Sequence, residues 1–337
     1  MRTYMIGAGA MGSFYGGLLA KAGYDVTLID PREDHIALVR RNGLIVDGVR
    51  GRHVIKVAAF TTHEGLPRCD LAIVFTDTNN TQAAAREAKA VLELDGFALT
   101  LQNGIGNVEA LVAELGAERV AAGVTMNSGA CPEPGRATYT NAGMTSIGEL
   151  DGRRSARIET CAKMLNEAGI ETTVVDNPMS WIWSKFVHNC AANALAAITG
   201  LRGGEMYRTP EVNALQDRLL DEILAVVERK GIALVDADPR KKIKAHARIR
   251  YNKPSMMQHI EQGRRTEIDS LNGAIVREAK ALGLAVPYNE AVVALVKGLE
   301  KSRMQLLHEP PRDYKKLEQE AEEEVRREQG GQARGAP

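Results

Sequence analysis

The chain has 337 residues, 44% of them hydrophobic and 26% charged, and its 43 basic side chains are matched by 43 acidic ones. That length suffices for two domains each with its own core, and a net charge of zero argues against nucleic acid or an anionic membrane surface as the main partner. Cys69, Cys131, Cys161 and Cys190 have none of the paired spacings of a zinc or redox site. No apolar run approaches the roughly 18 residues of a membrane span, and the N-terminus reads as a strand rather than a signal sequence. A cytoplasmic protein with reduced thiols and no metal is expected.

The chain opens with Thr3-Tyr-Met-Ile6, an apolar strand running straight into Gly7-Ala-Gly-Ala-Met-Gly12. A helical pattern from Met11 to Ala22 follows, closed by Gly23, and then the buried-strand pattern Asp25-Val-Thr-Leu-Ile-Asp30. Set between a strand and a helix, Gly7, Gly9 and Gly12 suit the tight turn, the approach of a pyrophosphate and the close packing of a dinucleotide-binding unit. Ala8, Ala10 and Met11 complete that turn, whose free N–H groups and helix dipole would hold the phosphates.

Asp30, at the end of the second strand, can accept from the adenosine ribose hydroxyls and would repel a 2′-phosphate, which favours NADH. Arg32 can swing round to hold such a phosphate, which leaves NADPH open. Asp30 also suits a plain turn before Pro31.

Strands are then expected at Leu71–Thr76, Phe97–Leu101, Val120–Met126, Ala137–Asn141, Met144–Gly148 and Glu171–Val175, with helices at Thr81–Leu92 and Ala156–Ala168. Asn103, in Gln102-Asn-Gly-Ile-Gly106, follows a strand whose carboxyl end would face the ligand crevice, although Asn-Gly is equally a common turn pair. The first domain should end near Pro178.

From Ser180 the pattern is almost continuous helix. In the first of these helices Lys185, Asn189 and Asn193 interrupt an apolar run at steps of four, each step turning the direction by about 40° and climbing about 6 Å, so their heads form one slanted row. No acid shares the row to neutralise Lys185, so a small anionic ligand would suit it; solvated residues or polar groups satisfied in the core are the plainer alternatives. Gly200-Leu-Arg-Gly-Gly204 is a break, and helices are expected at Pro210–Lys230, from Pro239, at Ser255–Gln262, from Thr266 to Leu282 and at Asn289–Gln305. The expected architecture is an α/β Rossmann domain over residues 1–178, an all-α domain over 179–308, and a charged tail over 309–337 that should fray.

These motifs carry a resemblance across nearly the whole chain except the tail. Gly7-Ala-Gly-Ala-Met-Gly12, Gln102-Asn-Gly-Ile-Gly106, Lys185-Phe-Val-His-Asn-Cys-Ala-Ala-Asn193, Asn252-Lys-Pro-Ser255 and Arg265-Thr-Glu-Ile-Asp-Ser-Leu-Asn-Gly273, in that order, resemble the ketopantoate reductases (2-dehydropantoate 2-reductases) and related D-2-hydroxy acid dehydrogenases. The resemblance implies that Lys185 is the catalytic acid and that Asn189, Asn193, Asn252 and Ser255 contact the substrate. Asn103 would lie at the nicotinamide, and Glu267 near both cofactor and substrate. It favours NADPH, where Asp30 favours NADH.

The chemistry is consistent. Reducing a 2-keto acid gathers negative charge on the carbonyl oxygen, which Lys185 can stabilise and then protonate if burial lowers its pKa towards working pH. Asn189 and Asn193 can donate without adding charge, and Ser255, at a helix start after Pro254, could hold the carboxylate. Glu267 could accept from a substrate hydroxyl or orient Lys185; alone it would read as a first-turn helix acid.

Three positions depart from the family pattern: Asp77 stands where a lysine is usual, Asp30-Pro31 replaces a basic residue, and Gly203 replaces an asparagine that helps hold the substrate. An NAD-dependent dehydrogenase of another branched or aromatic 2-hydroxy acid therefore remains an alternative. So, from a different class, does a redox sensor that binds a dinucleotide without turning a substrate over. The 3-hydroxyisobutyrate and 6-phosphogluconate dehydrogenases share the lysine and asparagine but carry a glycine-rich run before the lysine that this chain lacks. A homodimer through the helical domain is also expected from its apolar faces.

Overall fold

The computed structural model describes residues 1–332. Its first half runs β1 (Thr3–Ile6), α1 (Ala10–Lys21), β2 (Val26–Ile29), α2 (Glu33–Asn42), β3 (Leu44–Gly48), β4 (His53–Ile55), β5 (Ala58–Phe60), β6 (Cys69–Val74), α3 (Thr81–Val91), β7 (Leu92–Thr100), α4 (Asn107–Leu115), β8 (Val120–Thr125), β9 (Ser128–Glu133), β10 (Arg136–Asn141), β11 (Thr145–Glu149), α5 (Ala156–Glu167) and β12 (Thr172–Val174). The second half is helical: α6 (Pro178–Thr199), α7 (Gly203–Arg208), α8 (Pro210–Arg229), α9 (Pro239–Ile249), α10 (Ser255–Glu261), α11 (Asn272–Leu282), α12 (Pro287–His308) and α13 (Tyr314–Gln332).

Eight strands form one sheet in the order β12-β11-β8-β7-β6-β1-β2-β5, parallel from β8 to β5. The chain leaves β1 towards β2 on one side and returns to β6 on the other. The order therefore reverses between β1 and β6, the place where open parallel sheets of this kind take their ligands. A second sheet, β4-β3-β10-β9, is only partly legible in the sequence: β10 matches an expected strand, while β3, β4 and β9, with α2, β5 and α4, have short runs that mix polar with apolar residues and give no clear signal.

Helix α1 lies between the two sheets, and two adjacent glycines explain how. A Cβ at Gly16 would press on Leu28 and Met5 of the large sheet, and one at Gly17 on Leu44 and Val46 of the small one. Phe14 stacks on Tyr139 with ring centroids 4.1 Å apart.

Helix α6 begins with Pro178 at its first turn and the Asn177 side chain accepting from the Ser180 N–H at 3.1 Å, a start that the pyrrolidine φ and an Asn cap both favour. It buries Phe186, Val187 and Leu195 almost wholly, each worth about 1.5–3 kcal/mol. Its own carbonyls are held from outside: Asn272 donates to Cys190 O at 2.9 Å and Gln216 to Ala191 O at 3.1 Å.

Two helical expectations need correction. The helix expected from Thr266 starts only at Asn272; Ile268–Ser270 is a single 3-10 turn, and Leu271, at φ −104°, ψ −104°, breaks the run. The tail expected to fray from Glu309 contains α13, an exposed helix laced by Lys316–Glu320, Glu322–Arg326 and Glu323–Arg327 pairs at spacing four, the spacing that supports an isolated helix. Of the stretch Gly330–Pro337, also expected to fray, residues 333–337 lie outside the described residues.

The glycine turn is the tightest point. A Cβ on Gly12 would lie 1.9 Å from Gly7 O, and one on Gly7, at φ +89°, 2.8 Å from Thr76 N. Because the clash is with backbone, Gly12→Ala should cost roughly 1–3 kcal/mol or more. Thermal unfolding would check this, and an unshifted midpoint would contradict the packing described here.

Candidate active site

The carboxyl ends of β1, β2, β6, β7 and β8 share one edge of the sheet, and within three residues beyond them lie Gly7, Asp30, Thr76-Asp77, Gln102-Asn103 and Met126. At this edge Gly9, the residue before α1, has no atom within 4 Å of where its Cβ would stand. No acidic side chain occupies the first turn of α1 and no side chain caps it. Open space over free helix N–H groups is what a pyrophosphate requires, so Gly7 to Gly12 fit a dinucleotide.

Asp30 is buried, and Arg32 grips it with both arms: Nε to Oδ1 at 2.8 Å and Nη2 to Oδ2 at 3.0 Å, with Nη2 also donating to Ala8 O at 3.0 Å. The two residues weighed against each other in the sequence are thus one ion pair, seated on the glycine turn.

From the helical side, α6 brings Lys185 to the end of β8, where its Nζ donates to Thr125 O at 2.6 Å. That carbonyl is held by a buried network. Tyr15 OH bonds Thr125 Oγ1 at 2.7 Å and Thr145 Oγ1 at 2.6 Å, and Asn127 donates to Tyr15 OH at 3.0 Å and to Thr125 Oγ1 at 2.8 Å. Burial lowers the Lys185 pKa from its ordinary 10.5 to about 8, while the nearby Glu267 carboxylate works in the opposite direction.

Glu267 itself is pushed above the usual carboxylate range, by burial first and then by the charge of Asp77; Lys185 and a hydrogen bond with the Asn103 side chain pull the other way. Asn103 is fixed through its carbonyl, which accepts from Thr78 Oγ1 at 2.9 Å and Asn107 Nδ2 at 2.8 Å. The next residue, Gly104, has φ +83°, and its Cβ would come within 3.0 Å of Ser270 O. That close approach seats the turn bearing Glu267 against the end of β7. Lys185, Asn103, Glu267 and Asp77 therefore meet at the joint between sheet and helices.

On α6 the side-chain hydrogen bonds run through Ser184, Lys185 and Thr199. Among the described residues the amides of Asn189 and Asn193 have no partner in the protein, although Asn193 is only 9% exposed. Two unspent amides beside a desolvated ammonium can bind the oxygens of a small anion. Asn252 and Ser255, by contrast, are exposed and are not hydrogen-bonded to this cluster.

Sequence reading missed the carbonyl of Thr125, for which no side-chain signal exists, and His188, whose signal was its position three residues beyond Lys185 on the same helix. Gly203 is also closely packed: its Cβ would lie 3.1 Å from Arg250 O and 3.2 Å from Ala247 O, so a side chain there would crowd the end of α9.

A Rossmann sheet with an open glycine turn, closed by a helix that carries a desolvated lysine and free amides, defines an NAD(P)H-dependent oxidoreductase. Residues 3–152 match the family model of ketopantoate reductase PanE/ApbA and residues 177–300 that of its C-terminal part. The chain belongs to the ketopantoate reductase family. It is 35% identical to the 2-dehydropantoate 2-reductase of Pyrococcus horikoshii over 300 residues, covering 89% of this chain and 98% of that protein. Among solved structures it is similar to a PanE/ApbA family ketopantoate reductase from Ralstonia eutropha, with 33% identity, a TM-score of 0.84, and coverage of 90% and 100% of the two chains. It is also similar to a D-mandelate dehydrogenase solved with NADH and anilino(oxo)acetate, with 28% identity, a TM-score of 0.83, and coverage of 90% and 99%.

Because Glu267 raises the affinity of Lys185 for its proton, Glu267→Gln should move the Lys185 pKa below about 8. An NMR titration of the labelled lysine would read this, and an upward shift would show that the two groups do not face each other as described.

Proposed function

We propose that this protein reduces ketopantoate to pantoate with a nicotinamide cofactor, Lys185 serving as the acid. The observation that supports this most is the desolvated Lys185 ammonium, with a pKa near 8 and a hydrogen bond to Thr125 O at the ligand edge of the sheet. NAD(P)H, when bound, supplies a hydride to the carbonyl carbon. Lys185 stabilises the charge gathering on the keto oxygen and delivers a proton to that atom. Asn189 and Asn193 donate to substrate oxygens without adding charge. Asn103 and Glu267 act beside the cofactor, Glu267 keeping Lys185 protonated and aligned, and Asn252 and Ser255 serve the mouth of the site. In this reading residues 1–178 hold the dinucleotide, 179–308 supply the substrate groups, and 309–337 stand outside the chemistry.

On the cofactor, we assign NADH at least equal standing with NADPH. Asp30 repels a 2′-phosphate, while Arg32, already paired with it, offsets that repulsion in part. The likeness to D-mandelate dehydrogenase supports a second reading, a D-2-hydroxy acid dehydrogenase for an aromatic substrate, and steady-state assays of ketopantoate beside benzoylformate with both cofactors would separate the two.

Lys185→Ala should lower turnover by about two to four orders of magnitude while NADH still binds in a fluorescence titration; unchanged turnover would remove the acid role. The acid form is present below the pKa, so kcat/KM for reduction should be level below pH about 8 and fall as pH rises through it. Asp30→Ala should free Arg32 and shift preference towards NADPH, whereas Arg32→Ala should sharpen preference for NADH. Equal responses to the two substitutions would show that the pair does not read the cofactor.

A further inference from the structure

The partly open positions of the α6 mid-section are Ser184, Lys185, His188, Asn189 and Ala192, while Ile182, Trp183, Phe186, Val187, Cys190 and Ala191 are buried. His188 therefore shares the partly open stripe of α6 with Lys185 and Asn189, about 4.5 Å along the helix axis from Lys185, a separation comparable to the length of a short keto acid. Its ring meets that of His246 on α9 edge to face, with centroids 4.7 Å apart at 87°.

Two glycines fix this meeting. Gly204 N donates to Arg250 O at 2.8 Å; a Cβ on Gly203 would crowd Arg250 O at 3.1 Å, and one on Gly204 would meet the Tyr251 ring. Arg202 Nη1 donates to Tyr251 O at 2.8 Å and Arg208 Nη1 to Tyr251 OH at 2.7 Å. The start of α7 thus grips the end of α9 and sets His246 against His188.

Among the described residues neither imidazole has a hydrogen-bond partner in the protein. Burial, followed by the charges of His246, Lys185 and Arg250, lowers the His188 pKa to about 4. A neutral imidazole offers one N–H donor and one lone pair. A hydroxyl can pair with whichever ring nitrogen faces it in either tautomer, accepting from the N–H or donating to the lone pair. A carboxylate only accepts and so suits one tautomer alone, and an alkyl group would leave the facing nitrogen unpaired in a partly closed site.

We propose that His188, backed by His246, lines the subsite for the substrate's side chain and is the residue that reads the hydroxyl there. This rests on the 2-keto acid reductase reading above and adds to it a residue that selects among keto acids. The selection works by penalty: a substrate without the hydroxyl strands the imidazole.

The test compares ketopantoate with trimethylpyruvate, which differs from it only in lacking the terminal hydroxyl. The wild-type protein should prefer ketopantoate in kcat/KM by at least about a hundredfold. His188→Leu should bring that ratio close to unity, and His188→Gln, which keeps a donor and an acceptor, should restore most of it. A wild-type ratio near unity, or a ratio unmoved in a folded His188→Leu protein, would overturn the assignment of His188 while leaving the reductase reading intact. If His188→Leu does not fold, a ratio in His188→Gln no better than in a folded His188→Ala protein overturns it equally. Failure of the wild-type protein to reduce either compound would overturn the ketopantoate reading and this proposal together.

Discussion

The arrangement depends on one ammonium that is largely desolvated. Among the described residues Lys185 has a single hydrogen bond, to the carbonyl of Thr125, and one nearby acid that is itself reluctant to ionise. Leaving such a charge poorly compensated costs several kcal/mol, so the groups on either side must be held still. On the sheet side, Tyr15, Asn127 and Thr145 lock the end of β8. On the helical side, Asn272 and Gln216 take up α6 carbonyls one turn beyond Lys185. Each half is rigid on its own account, and the cation is satisfied only where they meet.

The sequence made the two faces of this joint visible but not the joint itself. A strand, three glycines and a helix start are local and leave a local signature, and so is a polar row repeating every four residues. What faces the row is not local. Thr125 contributes a main-chain oxygen that no residue type announces, and Asp77 lies near Glu267 only because β6 and the turn before α11 converge across roughly 190 residues of chain. Glu267 read as an ordinary helix acid because the run after Thr266 looked continuous. Leu271 breaks that run, and the break leaves Glu267 in a loop that Gly104 admits to the sheet edge.

The small second sheet was the larger omission, and its cause is physical. Strands β3, β4 and β9 have one face on α1 and the other towards water, and His53–Ile55 spans only 3 residues. Alternation over so short a run carries little information. Without that sheet Gly17 had no evident purpose, yet it is the residue that lets Leu44 and Val46 close on α1.

That omission bears on the cofactor end as well. His35 of α2 is buried and reaches Ser13 Oγ at 3.3 Å with one ring nitrogen, while the other accepts from Gly135 N at 3.0 Å. Ser13 in turn donates to Ala8 O at 2.7 Å, the carbonyl that Arg32 also holds. The turn between β9 and β10 is therefore linked through His35 and Ser13 to the glycine turn, and through Ala8 to the Asp30–Arg32 pair. An acid at the end of the second strand is commonly read as a mark of NAD, but that rule assumes a free carboxylate. Here the carboxylate is already paired, and its partner is anchored to the turn that would carry the pyrophosphate. On the reading proposed above, discrimination between the two dinucleotides would depend on how firmly Ala8 O holds Arg32 in place, and so on the packed domain rather than on residue 30 alone.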